Sequence, residues 1–368
     1  MTTLIAFESG LALFLQILLV VSVTVLLQSW IGQARDGCRL WTICFVAILG
    51  LSAAAILLPH LRLIAFPQWI STETTLKIIA VQTWLVPALL IVWLGGVCLS
   101  LAYRARRCIS LLRFLRDHCQ TLRDDELARM PSIAADDDCP FRELQWKVSD
   151  VIQGPFCWQL HRPVIVLPRY VVEGDETTLR HIMLHEWEHL RTKHPMQHFL
   201  QGTCSTLFWF HPAVRVAANG AELTREYVCD EVAAAQGGKF AAYLRTLVKI
   251  AERCETMSCA DIPAGTLAFG NRKSSLIRRS ERVVQLAQQT QATNPRRGMI
   301  ASAILIGVVM LASLLWLPVN ALASSRTVLS PWPTWTAGVL HDFGISVRDF
   351  EPFDERTSLH ELLEADDE

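Results

Sequence analysis

Four stretches of this chain are apolar almost without interruption: Leu11–Ile31, Trp41–Leu58, Ile78–Tyr103 and Met299–Val319. Each is close to the ~20 residues a helix needs to cross a hydrocarbon core of roughly 30 Å, so the pattern predicts four membrane-spanning helices. The first run is longer than the core of a secretory signal and has no basic leader. Gly50, Pro59 and His60 weaken the far end of the second. Between the third and fourth runs the apolar positions are spaced rather than continuous. Leu179, Ile182, Met183, Leu184, Trp187 and Leu190 recur at helical spacing. Asp175 is placed to cap that helix, and Pro195 to stop it near His194. Val164–Leu167 reads as a strand, and Ala213–Ala235 as a helix entered after His211-Pro212 and stopped by Gly237-Gly238. The fold class expected is a mainly α membrane protein. Residues 1–103 supply three spans, 104–298 an inserted domain, 299–319 the fourth span and 320–368 a short tail.

Basic residues orient the spans. Residues 1–10 contain no Lys or Arg, whereas Arg35 and Arg39 follow the first span. Arg104, Arg106, Arg107, Arg113 and Arg116 follow the third, and Arg296 and Arg297 precede the fourth. This places 104–298 in the cytoplasm and both termini outside. The 11 cysteines fit that placement: the number is odd, no C-x-x-C occurs, and none lies in 1–10, 60–77 or 320–368. A disulfide framework is therefore not expected. The net charge of −1 hides an acidic end, Glu361–Glu368, which reads as solvated chain. The arginine clusters are accounted for by topology, and no basic patch interleaved with aromatics suggests nucleic-acid binding. No internal repeat is present.

The chemistry is carried by His185-Glu186-Trp187-Glu188-His189. Residues four apart share one face of a helix, so two imidazoles can grip one Zn²⁺ while Glu186 reaches its water as general base. A catalytic zinc needs a third protein ligand. His181 lies eight residues from His189, about 12 Å of helical rise, and reads as a structural or outer histidine. His194 and His198 lie at and beyond the Pro195 break. On the Ala213–Ala235 helix, Glu222, Glu226 and Asp230 fall on one face. Glu226 as ligand with Asp230 behind a ligating histidine is one reading, and a solvated acidic face paired with Arg225 is the other.

Four landmarks occur in order: Arg162–Pro168, the Leu179–His189 helix, Phe208-Trp209-Phe210-His211-Pro212, and Arg225-Glu226-Tyr227-Val228-Cys229-Asp230. On these, residues 1–320 resemble the BlaR/MecR-type integral-membrane metallopeptidases, signal transducers of the bacterial cytoplasmic membrane. The resemblance implies a gluzincin-like α+β zinc peptidase domain with His185, His189 and Glu226 as zinc ligands, Glu186 as general base and Asp230 as supporting carboxylate. It also implies that the segment around Gly154, Phe156 and Trp158 is an edge strand that aligns the substrate backbone, the alternative being an ordinary hairpin.

Two departures stand out. The family often has an acidic residue where this chain has His194, and Asn-Pro where it has His211-Pro212. His211 is thus a candidate for hydrogen-bonding substrate. The tail holds no S-x-x-K and is too short for a penicillin-binding domain, so β-lactam sensing is not implied. Arg278-Arg279 and Arg296-Arg297 are candidate self-processing sites, the alternatives being a charged helix and a membrane anchor. The function expected is a membrane zinc endopeptidase cutting a cytoplasmic or membrane-proximal protein, such as a winged-helix transcriptional repressor or the enzyme's own loop. The lipid bilayer and a second copy of the chain are further candidate partners. Rival readings are a non-catalytic transducer whose metal is closed off by His181, His194 or Glu222, and a housekeeping membrane-protein peptidase.

Overall fold

The computed structural model describes residues 3–62, 69–128, 144–159, 162–236, 240–256, 267–268, 273–288, 296–314, 316 and 329–348. Gly237-Gly238 and the acidic end Glu361–Glu368 lie outside them.

Four helices are long and apolar enough to cross a membrane: α1 (Thr3–Trp30), α2 (Ala34–Leu57), α3 (Thr72–Asp117) and α11 (Arg296–Leu314). All four start earlier than hydropathy predicts, because a helix continues its own hydrogen bonding through polar flanks after the apolar run ends. The difference is largest at the far end of α3, which runs on to Asp117. Its 46 residues make a rod about 69 Å long, so the boundary expected at 103/104 falls inside one unbroken helix. Large apolar side chains such as Leu26, Ile91, Leu99 and Met310 stay exposed on these helices, as lipid-facing residues would. At one end of the bundle a buried ionic cluster joins α1 to the segment after α2. Glu8 accepts from Arg62 Nε at 3.2 Å and lies 3.0 Å from His60 Nε2. His60 N donates to Ser330 Oγ at 2.9 Å, which brings the segment after α11 to the same end.

At the other end sits a five-stranded sheet of order β1-β2-β4-β3-β5, made from β1 (Gln120–Thr121), β2 (Gln145–Ser149), β3 (Phe156–Gln159), β4 (Pro163–Pro168) and β5 (Leu267–Ala268). Strand β4 is buried along its whole length, so both of its alternating faces need cover. Val164 and Val166 pack on Leu111, Phe114 and Leu115 from the far end of α3. Ile165 and Leu167 pack on Leu179, Ile182 and Met183 of α6 (Glu176–Arg191) and on Leu247 and Ile250 of α9 (Phe240–Thr256). The short helices α4 (Asp124–Ala128) and α5 (Arg169–Val172) flank the sheet, and α12 (Thr334–Asp342) follows α11.

Strand β3 is not at the edge. It pairs antiparallel with β4 on one side and, at Phe156 and Cys157, with β5 on the other. The Phe156 side chain is fully buried against Phe114, and Gly154 is buried too, so neither offers a surface to a substrate. Trp158 is half-buried and faces Val164 across the ladder.

Helix α6 ends at Arg191, sooner than expected. Lys193 adopts a left-handed conformation (φ 57°) that breaks the helix, and Pro195 opens the next one, α7 (His194–Leu207). Proline suits a first helical turn, where its missing N–H costs nothing. A tight turn leads from α7 into α8 (Pro212–Gln236). The turn sits among the spans: His211 Nε2 lies 3.1 Å from the Phe14 carbonyl of α1, and Trp93 Nε1 of α3 donates to the Leu207 carbonyl at 2.8 Å. Ala213, Val214, Ala217 and Ala221 of α8 join the core made by Ile17, Leu40, Trp41 and Phe45. The α7–α8 hairpin therefore runs alongside the membrane helices instead of lying wholly outside them.

Candidate metal centre

Helix α6 starts where predicted. The Asp175 carboxylate accepts from Thr178 N at 2.9 Å, the capping arrangement that satisfies a free N–H of the first turn. Its apolar stripe faces the sheet and turns His185, Glu186 and His189 inward, each about 1% exposed. The two imidazoles meet at Nε2, 3.2 Å apart. Glu226 arrives from α8 with Oε2 3.5 Å from His185 Nε2 and Oε1 3.5 Å from His189 Nε2.

These spacings would suit three ligands on one ion. Bonds of ~2.0–2.1 Å at tetrahedral angles separate donor atoms by about 3.3–3.4 Å. The opposite nitrogens strengthen the fit. His185 Nδ1 lies 3.3 Å from Asp230 Oδ1 and 3.1 Å from Tyr243 Oη, and His189 Nδ1 lies 2.9 Å from His194 Nδ1. If both Nδ1 atoms donate outward, two lone pairs face each other at Nε2. A cation between them removes that repulsion.

Of the three acidic residues on one face of α8, Glu222 is exposed, but Glu226 and Asp230 do not belong to a solvated face. Asp230 is fully buried. Glu226 and Asp230 converge on Arg279 of α10 (Lys273–Gln288), which is 1% exposed. Arg279 Nε and Nη2 donate to the two Asp230 oxygens at 2.8 and 2.6 Å, and Nη1 lies 2.8 Å from Glu226 Oε2. Tyr243 Oη of α9 donates to Asp230 Oδ1 at 2.6 Å. Burial alone would push the Glu226 carboxyl up, but Arg279 and the two histidines outweigh it and hold it at about 2. Burial works against a charge on His185, yet Asp230 and Glu226 raise it to about 9. His189 falls to about 3 through burial and the nearby positive charges, despite Glu226. The carboxylates thus call for one positive charge between the imidazoles, which a proton on His185 supplies when no ion does. Glu186 is pushed up to about 8, first by burial and then by Glu226. Its Oε2 is buried and takes no protein hydrogen bond among the described residues.

Sequence reasoning missed several of these partners. Tyr243 carries no motif. Arg279, a candidate cleavage-site residue with a charged helix as the alternative, does lie on a helix, but as the buried counter-ion of the cluster. Arg278 is exposed but lies within α10, and Arg296 and Arg297 open α11. Arg297 sits 5.7 Å over the Trp30 ring, as a residue at a membrane boundary would. A peptidase needs extended backbone, so neither pair is presented for self-processing.

His211 is also reassigned. It is fully buried, with one ring nitrogen against the Phe14 carbonyl and the other accepting from Ala213 N at 3.2 Å, so it caps α8 and does not face substrate. None of the three residues proposed to close the site reaches it. His181 bonds Thr246 at 2.9 Å and Glu222 accepts from Gln201 at 2.9 Å. His194 supports His189 from behind. The residue that does approach is Cys229: its sulfur and one nitrogen each of His185 and His189 all lie within 4.8 Å of one another.

Close to the metal centre, residues at and beside the turn between α1 and α2 fasten the site to the membrane bundle. Gln28 Nε2 donates to Thr224 Oγ1 of α8 at 2.7 Å. Arg282 of α10 donates to the Gly32 carbonyl at 2.6 Å. Arg35 pairs at 3.3 Å with Glu188, which is buried on α6.

A family model described as BlaR1 peptidase M56 matches residues 4–281, a range that takes in α1 to α3, the sheet and every residue of the cluster. No curated protein matches the chain.

Proposed function

This chain belongs to the BlaR1 peptidase M56 family, and from that premise we propose that it is a zinc endopeptidase working at the surface of a bacterial cytoplasmic membrane. The observation that carries the reading is the triangle of His185, His189 and Glu226, spaced for one ion, with Glu186 buried beside it. A bound zinc supplies Lewis acidity to a scissile carbonyl and to the attacking water.

The chain's own residues do the rest. Glu186 takes the proton of the attacking water through a carboxylate that burial makes basic, and hands it to the leaving amine. Asp230 and Tyr243 fix the His185 ring. Arg279 orients Glu226 and Asp230 and balances their charge. The sheet-bearing domain between α3 and α11 is the gluzincin-like peptidase unit in this reading, and it faces the cytoplasm because the arginines follow that side.

Geometry narrows the substrate. Pro212 to Glu226 is about 21 Å along α8, and the start of α8 is level with Phe14, near the middle of α1. Thr224 is level with Gln28, near the end of the span. The metal triangle therefore lies level with the α1–α2 turn, about where a hydrocarbon half-thickness of ~15 Å ends. A scissile bond reaching it belongs to a membrane-proximal segment or to a protein that docks on the membrane surface, with a winged-helix repressor as the candidate that the family supports. The α1–α2 turn holds α6, α8 and α10 together, so a shift of the spans would alter all three and serve as the activating signal.

The test is mapping of new protein N-termini in cells carrying the wild type or Glu186→Gln. Cleavages present only with the wild type, alongside retained metal in the variant, support the reading. Identical N-termini in both refute it.

A further inference from the structure

Helix α8 brings a second donor to the same two imidazoles. Cys229 lies three residues beyond Glu226, one turn along the same face. Asp230, its neighbour, goes to the outer nitrogen of His185. Cys229 is fully buried, and its sulfur lies 3.6 Å from His194 Nδ1, beside His189. It also lies within 4.8 Å of a nitrogen of His185 and one of His189 at once. A tetrahedral ion with Zn–N of ~2.05 Å and Zn–S of ~2.3 Å would separate sulfur from nitrogen by about 3.6 Å. Reaching that separation from both Nε2 atoms takes a rotation of the Cys229 side chain away from its contact with His194 Nδ1.

We propose that Cys229 is a fourth ligand of the ion held by His185, His189 and Glu226, so that the resting site is closed and opens to water only when the sulfur withdraws. This rests on the metallopeptidase reading above and adds its regulation. Four protein ligands make a structural site, and three with an open position make a catalytic one; here one side chain separates the two states. On closing, the Sγ–H bond breaks, the proton leaves to solvent and the Sγ–metal bond forms, with no change of oxidation state. On opening, the thiol regains its proton. The trigger is the movement of α8 against α6, and Gln28 and Arg35 of the α1–α2 turn hold one of these helices each.

Cobalt(II) loading of the full-length protein in detergent tests this without relying on activity. Visible ligand-field bands report an ion in the site, and a near-ultraviolet sulfur-to-cobalt charge-transfer band reports the thiolate. The expected wild-type spectrum has both. Cys229→Ala and the more conservative Cys229→Ser keep the visible bands and lose the near-ultraviolet band. Cys157→Ala, which removes the buried thiol that interacts with Glu186, keeps both. Wild-type protein showing ligand-field bands without the charge-transfer band overturns the proposal and leaves the peptidase reading standing, as does a band that survives Cys229→Ala. Wild-type protein that takes up no cobalt overturns both together.

Discussion

Replacing Arg279 with glutamine takes a buried cation away from two buried carboxylates. Its guanidinium makes two bonds to Asp230, at 2.6 and 2.8 Å, and a third contact to Glu226 at 2.8 Å, all from a side chain 1% exposed. Breaking a buried ion pair from one side costs about 3–5 kcal/mol, because the remaining charge has neither water nor a partner. At roughly 2–4 °C per kcal/mol, the metal-free variant should unfold on the order of 6–20 °C lower in an apparent thermal midpoint. Zinc changes the balance. A dication between His185, His189 and Glu226 supplies positive charge where the arginine is missing, so the deficit should shrink when metal is added and return with a chelator. Arg279→Lys keeps the charge but not the two-pronged geometry, and should fall between.

The pH dependence follows from the same contacts. Glu226 is held at about 2 and Asp230 well below the ordinary carboxylate range, in both cases with Arg279 as the leading cause working against burial. A depressed carboxyl contributes stability that is complete above its unfolded value of ~4 and is lost as pH falls through the folded one. The wild-type advantage over Arg279→Gln should therefore be flat from pH 5 to 8 and narrow as pH drops from 4 towards 2. Differential scanning fluorimetry of both proteins, with and without zinc, reads all of this. Equal deficits in the presence and absence of metal, or no deficit at all, would refute the assignment of Arg279 as counter-ion to the metal ligands.

Other perturbations probe the remaining supports. Glu186→Gln should retain zinc by elemental analysis while losing peptidase turnover by about 10²–10⁴-fold, the usual contribution of a general base. His194→Ala removes the partner of His189 Nδ1 and should weaken zinc binding roughly 10–100-fold, with His194→Asp restoring it in a competitive chelator titration; unchanged affinity in the alanine variant would show that His189 needs no support. At Gly220 a Cβ would fall 2.6 Å from Trp41 Cζ2, so Gly220→Leu should force α2 and α8 apart and lower both the thermal midpoint and the metal content of protein purified from membranes.

Features written in neighbouring residues were legible in the sequence. A run of apolar side chains or two histidines one turn apart is a local property, so the four membrane-length helices, the Asp175 cap and the inward turn of His185 and His189 could be anticipated. The ends of the spans could not. Hydropathy marks only the lipid-covered part of a helix, and α3 continues from there to Asp117, where Leu111, Phe114 and Leu115 become core against the sheet. Strand β5 is two residues long, too short for any period to show, and its pairing with Phe156 and Cys157 is what removes β3 from the edge.

The counter-ion shows where local reading fails in principle. Arg278 and Arg279 are adjacent and chemically identical, and a cleavage-site reading treats them as a unit. Successive residues of a helix point about 100° apart, however, so when one faces solvent the next can face the core. Arg278 is exposed, while Arg279 meets Asp230 and Glu226, 49 and 53 positions earlier in the chain. Which arginine turns inward depends on how α10 packs on α8. The carboxylates that make that packing favourable are the same ones that need the charge, so the role of Arg279 exists only once both helices are in place.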